Sequence, residues 1–537
     1  MSLQELISVQ LTRHVKPDNV KFSYGTAGFR MNAKDLDYVN YVVGILASLR
    51  SKYLGGKTVG VMVTASHNPP QDNGVKVVDP MGSMLESQWE SYATQLANSP
   101  NDELVKNVEK LCEQLNIDLG VESSIVIGRD SRESSPRLSE STIDGFKSVP
   151  NTKFKDFKLL TTPELHYLTR TFNDPDFGKP NETGYYTKLA DAFKKIYKLS
   201  KGDGDGGDKI DITIDAANGV GAPKVKELLQ TYLADEIDFH VVNGDYEVAD
   251  LLNYECGADF VKTNQKLPKN VEPVANKLYA SFDGDADRLI CYFKTEQDQF
   301  VLLDGDKIAT LIALFLQQLF KTIDSSKLSL DIGIVQTAYA NGSSSEYVEK
   351  KLKLPVRCTP TGVKHLHSEA EKFDIGIYFE ANGHGTVLFS SEAERKISEY
   401  KSTSPKEEKA VEVLQTFSQL INQTVGDAIS DSLAVLAIVH YLKLTPEQWN
   451  NAYQDLPNKL TKVVVPDRSI FQTTNAERTL VKPEGMQSKI DELVSKYPKG
   501  RSFVRASGTE DAVRIYAEAD TKDNVEALSK AVSELLA

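Results

Sequence analysis

Apolar runs that end abruptly at polar loops recur along this 537-residue chain, and they constrain its fold more than any other feature. Helix-like segments separate the runs, and strands that alternate with helices indicate parallel sheets joined by crossover helices. At roughly 150 residues per domain, this length suggests three or four domains. The clearest runs are VGVMVTAS at 59–66, SSIVIGRD at 123–130, IDITIDAANG at 210–219 and FDIGIYFEANG at 373–383.

The last block of the chain, from about residue 446, has a different rhythm. Short strands such as KLTKVVVPD alternate with helix-like segments such as MQSKIDELVSKY, and the chain ends in a further helix. This pattern predicts a small α+β domain. Three apolar segments, at 41–49, 308–316 and 433–442, are too short to span a bilayer and predict buried helices.

The charge balance argues against some partners. The chain has 62 lysines and arginines against 76 aspartates and glutamates, a net charge of −14, whereas nucleic-acid binding requires a basic face. Any phosphate site must therefore be built locally from clustered arginines, backbone N–H groups and metal. Four widely spaced cysteines and an N-terminus unlike a signal peptide indicate reduced thiols in a soluble, cytoplasmic protein with no membrane partner.

The loop after the first apolar run, TASHNPPQDNGVK, carries the first candidate site. Ser66 stands at the junction of strand and loop beside the imidazole of His67, which makes it a candidate nucleophile, and Lys76 follows. The alternative is a serine that caps an ordinary turn stiffened by proline. The flanking glycines of a G-x-S-x-G motif are absent, which disfavours an esterase.

Three aspartates alternate in FDGDADR, which follows the apolar stretch LYAS. Asp283, Asp285 and Asp287 stand at positions i, i+2 and i+4, so their carboxylates can converge on one hard cation. Without a cation, three close carboxylates repel one another. The pattern therefore favours a divalent-metal site over a solvated acidic turn, with Arg288 at its end.

Small residues in RASGTE, near the C-terminus, allow successive backbone N–H groups to face one concavity that suits phosphate oxygens. The hydroxyls of Ser507 and Thr509 add donors beside Gly508. Arg505 or Arg514 can bind a pair of oxygens. An ordinary β-turn with capping hydroxyls explains the same residues equally well.

A glycine-rich turn, EANGHG, follows the apolar run at 373–379. The carboxylate of Glu380, the amide of Asn382 and the imidazole of His384 offer acceptors and donors that suit the hydroxyls of a sugar. A tight turn with a surface histidine is the alternative.

Arg30 ends a further glycine-containing motif, GTAGFR at 25–30, and its side chain is able to reach an anion. By itself this motif fits many loops. The sequence has no P-loop and no HExxH motif, so it does not support a P-loop NTPase or a zincin.

Together, the motifs GTAGFR, TASHNP, DGDADR, EANGHGT and RASGTE make the chain resemble the α-D-phosphohexomutase superfamily over essentially its whole length. The resemblance is closest to the eukaryotic branch that acts on N-acetylglucosamine phosphates. It implies a heart-shaped, four-domain α/β fold, in which three related domains with mixed sheets precede a smaller α+β domain. The implied domains are 1–176 with the serine loop, 177–294 with the metal loop, 295–445 with the sugar loop and 446–537 with the phosphate loop.

The resemblance also implies an activity. The chain would be an isomerase, an intramolecular phosphotransferase, that interconverts N-acetylglucosamine 6-phosphate and N-acetylglucosamine 1-phosphate for UDP-N-acetylglucosamine synthesis. Phosphorylated Ser66 would give its phosphoryl group to the substrate, with N-acetylglucosamine 1,6-bisphosphate as the intermediate. One Mg²⁺ per site would be held by Asp283, Asp285, Asp287 and the Ser66 phosphate.

Other roles follow from the same resemblance, position by position. Glu380 and Asn382 match binders of sugar hydroxyls, in one turn with Gly383 and His384. Gly383 and Gly385 are expected to leave room for the acetamido group. The implied phosphate clamp consists of Arg505, Ser507, Gly508, Thr509 and Arg514. Further active-site positions are Arg30, His67, Lys76 and Arg288.

Three alternatives stay open at this point. A related mutase could act on glucose or mannose phosphates, and a metal-dependent phosphomonoesterase would release inorganic phosphate steadily. The third alternative is a catalytically silent binding relative. Such a relative tends to lose its nucleophile or a metal ligand, whereas Ser66 and all three aspartates are present here.

Overall fold

The computed structural model describes residues 2–201, 209–507 and 511–536. Contacts within the chain define two compact units. Unit 1 consists of Met1–Leu302 and Gln419–Tyr441, and unit 2 of Leu303–Ser418 and Leu442–Ala537. The finer division into four domains stays a prediction. In the described ranges, no helix has both the length and the apolar character needed to cross a bilayer.

Unit 1 begins with a five-stranded sheet. Its strands are β1 (Phe29–Asn32), β2 (Thr58–Val63), β3 (Asp72–Val78), β4 (Ser123–Arg129) and β5 (Thr152–Leu159). They lie in the order β1-β3-β2-β4-β5. β2, β4 and β5 are parallel, whereas β3 pairs antiparallel with β1 and β2. The helices of this part are α1 (Leu3–Leu11), α2 (Asp37–Tyr53), α3 (Ser87–Ala97), α4 (Leu104–Gln114), α5 (Ser135–Lys147) and α6 (Thr162–Asn173).

A second five-stranded sheet follows. Its strands are β6 (Ile210–Asp215), β7 (Ile237–Val242), β8 (Tyr279–Phe282), β9 (Leu289–Lys294) and β10 (Phe300–Leu303). They lie in the order β10-β9-β8-β6-β7. β6 is parallel to β7 and β8, and β8 is antiparallel to β9. The helices here are α7 (Glu182–Ser200), α8 (Gly221–Tyr232) and α9 (Ala258–Asn264).

Unit 2 contains a four-stranded sheet with a similar plan. Its strands are β11 (Ile332–Thr337), β12 (Val356–Thr359), β13 (Ile375–Phe379) and β14 (Gly385–Phe389). In the order β12-β11-β13-β14, the first three are parallel and β14 is antiparallel. The helices that follow or flank these strands are α10 (Gly305–Phe320), α11 (Gly342–Glu346), α12 (Val363–Ala370), α13 (Ser391–Glu399) and α14 (Pro405–Leu420).

The segment 419–441 carries most of α15 (Ala428–Leu442) and belongs to unit 1, although the chain reaches it after α14. The backbone N–H of Ala428 donates to the carbonyl of Ala286 over 3.0 Å. Asp427, just before the helix, accepts a hydrogen bond from the Tyr185 hydroxyl at 2.8 Å. In chain order, the segment Leu303–Ser418, which contains the third sheet, therefore interrupts unit 1.

The C-terminal part of unit 2 is the predicted small α+β structure. An antiparallel sheet in the order β15-β19-β18 packs against two helices, and a hairpin lies beside it. Its elements are α16 (Pro446–Asn450), β15 (Asn458–Val464), β16 (Gln472–Thr474), β17 (Thr479–Lys482), α17 (Met486–Val494), β18 (Arg501–Ala506), β19 (Ala512–Glu518) and α18 (Lys522–Leu536).

The three larger sheets share one plan: three parallel strands and an antiparallel fourth that closes a hairpin. The hairpins are β2–β3, β8–β9 and β13–β14. In the first sheet the hairpin precedes the other parallel strands, whereas in the next two sheets it follows them. The resemblance implied related domains with mixed sheets, and this plan confirms them. The parallel strands predicted from the apolar runs are confirmed in all three sheets, and each hairpin adds an antiparallel partner that those runs did not indicate.

The three predicted buried helices are confirmed. Helix α2 is buried along nearly its whole length, from Tyr38 to Lys52, because YVVGILASL is apolar on every face. Residues 308–316 form the middle of α10, and residues 433–442 form the second half of α15.

Candidate active site

Four of the five candidate motifs, TASHNP, DGDADR, EANGHGT and RASGTE, lie at loops between antiparallel strands, and only GTAGFR does not. Residues 64–71 join β2 to β3, 283–288 join β8 to β9, 380–384 join β13 to β14, and 507–511 join β18 to β19. In the three related sheets the loop follows the carboxyl end of a parallel strand, where α/β proteins bind ligands. Three motifs that are far apart in the sequence therefore occupy the same position in their sheets, and each carries polar side chains there.

Ser66 is buried, with 1% of its surface exposed, and points at the metal loop. Its Oγ donates to Asp283 Oδ2 over 2.6 Å, and its backbone N–H donates to Thr64 Oγ1 over 3.1 Å. Its φ of +51° lies in the left-handed region, which costs an L-residue roughly 1–2 kcal/mol. The surrounding contacts must therefore hold the serine in place.

Asp283, Asp285 and Asp287 converge as predicted. One carboxylate oxygen of each lies within 4.8 Å of the others, and all three side chains are buried. Asp285 Oδ1 is buried and has no hydrogen-bond partner among the residues that the structure describes. Burial, and then the charges of Asp287 and Asp285, raise the pKa of Asp283 well above its usual range. An oxygen donor set with an orphaned buried oxygen fits Mg²⁺.

Two threonines orient the middle carboxylate. Thr162 Oγ1, at the start of α6, donates to Asp285 Oδ2 over 2.7 Å, and the Thr162 N–H donates to the Asp285 carbonyl over 3.1 Å. Thr64 Oγ1 lies 3.1 Å from the same Oδ2 and 2.8 Å from Asp130 Oδ2. The oxygen of Asp285 left for a cation is therefore Oδ1.

Arg288, Arg30 and Lys76 interact electrostatically with the three aspartates. Arg288 Nε lies 3.8 Å from Asp283 Oδ2 and 3.9 Å from Asp287 Oδ1. Arg30 on β1 lies opposite Gly74 on β3, and a Cβ at Gly74 would come within 2.9 Å of Arg30 Cγ. The same Cβ would lie 2.4 Å from the Phe29 carbonyl oxygen and 2.6 Å from that of Thr64, so the neighbouring backbone also requires a glycine here.

The basic groups of this centre have lowered pKa values. Burial lowers the pKa of Arg30 and of Lys76, although the aspartates oppose the effect. Burial, and then the charge of Arg288, lower the pKa of His67 to about 4. His67 is therefore neutral at neutral pH, and its buried Nδ1 has no hydrogen-bond partner in the described part of the chain.

In unit 2, the turn after β13 is organised by the side chain of Asn382. Its Nδ2 donates to Glu380 Oε2 over 3.3 Å, and its Oδ1 accepts from the His384 N–H at 3.0 Å. The Glu380 N–H donates to the His384 carbonyl over 2.9 Å, which closes the turn. The partly exposed Glu380 carboxylate is thereby held as an acceptor at the mouth of the turn.

The two glycines of the turn have structural reasons. Gly383 has a φ of +88°, which favours glycine. A Cβ at Gly385 would lie 2.2 Å from the Tyr378 carbonyl oxygen and 2.4 Å from the Phe379 ring. The prediction that Gly385 leaves room for an acetamido group is therefore wrong, because the space belongs to the hairpin itself.

A row of cations crosses the C-terminal sheet. Arg505 on β18 lies directly opposite Arg514 on β19, and Arg514 lies opposite Lys462 on β15. Like charges directly across a sheet repel one another, so a nearby anion would stabilise this row. Arg505 Nε donates to the Tyr339 hydroxyl over 2.7 Å and lies 3.8 Å from Glu477 Oε2.

The phosphate loop is described only at its ends. The N–H of Ser507 donates to the Ala512 carbonyl over 2.8 Å, so this group closes the hairpin. Arg468 Nη1 donates to the Ser507 carbonyl over 3.0 Å. The predicted ligands Gly508 and Thr509 lie outside the described residues.

Sequence reasoning missed several residues at both centres. They are Thr64, Asp130, Arg132 and Thr162 in unit 1, and Tyr339, Lys462, Arg468 and Glu477 in unit 2. The charged turn after β4 was visible as RDSRESS, but its side chains had no assigned target. The sequence of β15 alone does not indicate its register against β19. The alignment of Lys462 with Arg514 therefore could not be predicted.

Comparison with known proteins matches most of the chain to four family models. They are Phosphoacetylglucosamine mutase AMG1, domain III (residues 304–444) and domain II (179–290), Phosphoglucomutase/phosphomannomutase, C-terminal domain (460–535), and Phosphoglucomutase/phosphomannomutase, alpha/beta/alpha domain I (45–103 and 95–178).

Individual relatives match over their full length. Phosphoacetylglucosamine mutase of Candida albicans is 69% identical over 546 residues, covering 100% of both chains. A crystal structure of N-acetylglucosamine-phosphate mutase in the substrate complex is 70% identical, with a TM-score of 0.98 and 100% of both chains covered. The Aspergillus fumigatus mutase in complex with GlcNAc-6P and magnesium is 48% identical, with a TM-score of 0.94, covering 100% of this chain and 98% of the other.

Proposed function

The chain belongs to the phosphoacetylglucosamine mutase family of the α-D-phosphohexomutase superfamily, and from that premise we propose how its residues carry out the reaction. It is an isomerase that interconverts N-acetylglucosamine 6-phosphate and N-acetylglucosamine 1-phosphate, a step toward UDP-N-acetylglucosamine. The residue roles below extend this activity to particular atoms.

Ser66 is the phosphate carrier. The observation behind this assignment is the 2.6 Å hydrogen bond that joins its buried Oγ to Asp283, one of three clustered carboxylates. A substrate hydroxyl attacks the phosphorus of phosphorylated Ser66, the bond from phosphorus to Oγ breaks, and N-acetylglucosamine 1,6-bisphosphate forms. The bisphosphate then returns its other phosphoryl group to Ser66 Oγ, which leaves the isomeric monophosphate.

Asp283, Asp285 and Asp287 are the residues that hold Mg²⁺, together with the Ser66 phosphate. When bound, Mg²⁺ neutralises the negative charge that develops on the transferring phosphoryl group. Arg288 lies within 4 Å of two of these carboxylates, and its charge opposes the burial and the neighbouring carboxylates that raise the pKa of Asp283.

Lys76 exchanges the proton of the attacking substrate hydroxyl. Burial lowers its pKa, which makes the neutral amine, the form that accepts a proton, easier to reach. Arg30 stabilises charge on the transferred group. His67, whose pKa is lowered to about 4, is too weakly basic for proton transfer at neutral pH and contributes a hydrogen bond.

The turn at 380–384 recognises the sugar, and the cation row recognises its phosphate. Glu380 accepts hydrogen bonds from ring hydroxyls, and Asn382 donates, with Gly383 and His384 shaping the turn. The phosphate that is not transferred binds Arg505, Arg514 and Ser507, joined by Gly508 and Thr509 on the strength of the resemblance alone.

We also propose four domains, 1–176, 177–294, 295–445 and 446–537. They carry the serine loop, the metal loop, the sugar loop and the phosphate loop, respectively. We place the enzyme in the cytoplasm. Its four cysteines are all free, as in proteins of a reducing compartment.

The test combines a substrate comparison with one substitution. A coupled assay with trace bisphosphate should give the highest turnover for N-acetylglucosamine phosphates and slower turnover for glucose phosphates. Intact-mass analysis should find a phosphorylated fraction that disappears in Ser66→Ala, together with activity. Ser91→Ala, a change at an exposed serine of α3, is the matched control. Near-normal mutase activity in Ser66→Ala would remove the serine from the mechanism, and steady release of inorganic phosphate would indicate an esterase.

A further inference from the structure

The fully buried side chain of Arg132 lies beneath the serine loop. All five of its guanidinium N–H donors are used. Nε donates to Asp130 Oδ2 over 3.0 Å. The two terminal nitrogens donate to four backbone carbonyls, three in the loop and one at the first residue of β3: Ser66 at 2.8 Å, Asn68 at 2.9 Å, Pro69 at 2.6 Å and Asp72 at 2.9 Å.

Asp130 completes this arrangement. A buried guanidinium is costly unless it is paired and fully hydrogen-bonded, and Asp130 supplies the opposite charge. The same carboxylate accepts from Ser135 Oγ at 2.5 Å and from Thr64 Oγ1 at 2.8 Å. Thr64 is also the residue whose hydroxyl accepts from the Ser66 N–H. Both ends of the Ser66 peptide are therefore tied to one buried ion pair.

The backbone of Ser66 needs such a restraint. Its left-handed φ of +51° is unfavourable for a serine, yet it aims Oγ at Asp283. The Ser66 carbonyl accepts a second hydrogen bond, from Asn253 Nδ2 at 3.0 Å, so it is held from two sides. Released from these donors, the residue would relax toward an ordinary conformation, and Oγ would move.

We propose that Arg132 is a positioning residue that fixes the serine loop, and with it the phosphoserine, for transfer. The inference rests on the proposed role of Ser66. Arg132 contacts backbone carbonyls and Asp130 and is enclosed by protein, so it does not touch the substrate. Its loss should therefore lower the rate of phosphoryl transfer and leave substrate affinity almost unchanged.

The experiment compares Arg132→Ala and Arg132→Lys with Arg129→Ala. Arg129 is the last residue of β4, just before the turn that carries Arg132, and it pairs with Asp156 at 3.8 Å and makes none of the serine loop contacts, so it is the matched control. A displacement of the nucleophile by about 1 Å costs on the order of 10²-fold in rate, which we expect for kcat of Arg132→Ala. Its KM should stay within about threefold of wild type. Arg132→Lys, with three donors instead of five, should lose less.

Two further measurements separate positioning from a general loss of structure. Millimolar guanidinium should restore part of the kcat of Arg132→Ala and leave Arg129→Ala unchanged, because it can occupy the vacated space. Hydrogen exchange should accelerate in residues 64–74 of Arg132→Ala and not elsewhere. If Arg132→Ala does not fold, Asn253→Ala removes the other donor to the Ser66 carbonyl, and it should lower kcat in the same direction by about tenfold.

Several results would overturn the inference. They are a wild-type kcat in a folded Arg132→Ala, a rise in KM that accounts for the whole loss, or unchanged kcat in both Arg132→Lys and Asn253→Ala. Failure of the proposed function has a different signature, namely an active Ser66→Ala. If Ser66→Ala is inactive and Arg132→Ala is normal, Ser66 keeps its role and Arg132 loses the one proposed here.

Discussion

The metal loop of unit 1 and the cation row of unit 2 both place like charges close together, but they differ in the sign of the charge and in burial. Each collects like charges at a hairpin: three carboxylates after β8, and two arginines with a lysine across β15, β19 and β18. The carboxylates are buried and held by threonines and backbone N–H groups. The cations lie on a sheet face that is only partly buried.

This difference is consistent with the ligand proposed above for each cluster, a resident metal ion for the carboxylates and a substrate phosphate for the cations. A cation that serves every turnover can be enclosed, because it does not need to leave. A substrate phosphate must enter and leave in each cycle, so its cationic partners have to remain accessible. An excess of one charge therefore predicts a ligand of the other sign, and its burial indicates how long that ligand stays.

Removing the metal should have the largest effect. EDTA should lower turnover by at least about 10³-fold, because the charge on the transferring group is no longer neutralised, and Mg²⁺ should restore it. Mn²⁺, also a hard cation, should substitute, whereas Zn²⁺ should substitute poorly. Mg²⁺ at 100 times its Kd should also raise the free energy of unfolding by about 2.7 kcal/mol, an effect absent in Asp285→Asn. Full turnover in chelated protein would show that the three carboxylates do not hold a metal ion that the reaction needs.

The cation row should act through affinity. Arg505→Ala should weaken phosphate binding by about 2–4 kcal/mol, which corresponds to a KM roughly 30- to 1000-fold higher for both the 6-phosphate and the 1-phosphate. Steady-state kinetics with each substrate measures this effect. Arg395→Ala, at an exposed arginine of α13 in the same unit, should leave both KM values unchanged. A selective loss for one substrate would mean that the row does not serve both orientations.

The sugar turn should show a smaller loss that is shared between sugars. Glu380→Ala removes a charged acceptor, and hydrogen bonds to charged groups contribute about 1.5–3 kcal/mol, so kcat/KM should fall by about 10- to 100-fold. Assays with N-acetylglucosamine and glucose phosphates should give equal losses, because both sugars carry the same 3- and 4-hydroxyls and differ only at C2. Glu349→Ala is the exposed control. A loss confined to the acetamido sugar would instead make Glu380 a reader of that group.

The pH dependence of stability should show the smallest effect. The folded state raises the pKa of Asp283, chiefly through burial, so the folded protein binds more protons than the unfolded one. Without metal, stability should therefore fall as pH rises from about 4 through the raised pKa, by up to about 1.4 kcal/mol per pH unit. Denaturant unfolding of wild type and Asp283→Asn in EDTA measures the difference. A difference that does not vary with pH would show that folding does not raise the pKa of Asp283.

The sequence was sufficient where a single segment carries the information. Apolar runs correctly predicted β2, β4, β6 and β13, and the spacing of Asp283, Asp285 and Asp287 predicted their convergence. The antiparallel partners β3 and β9 were not predicted. The loops before them carry chemistry instead of the short glycine turns that announce a hairpin.

Contacts between distant segments could not be read from the sequence. Arg132 binds carbonyls of a loop some sixty residues earlier, and a backbone carbonyl leaves no mark on residue identity. Tyr339 and Arg505 meet only because two sheets of unit 2 pack together. Gly385 was assigned to the ligand although its neighbours Tyr378 and Phe379 explain it, and only the hairpin register reveals that contact.

The insertion in unit 1 has a consequence for how the enzyme is made. Ala286, between two of the metal-binding aspartates, receives its hydrogen bond from Ala428, which is translated long after them. A ribosome that has reached residue 302 has already produced Ser66 and the three aspartates. The loop 283–288 still lacks the hydrogen bond from Ala428 at that point. Prematurely terminated chains should therefore be inert, and a cell gains no partial phosphotransferase from an unfinished copy.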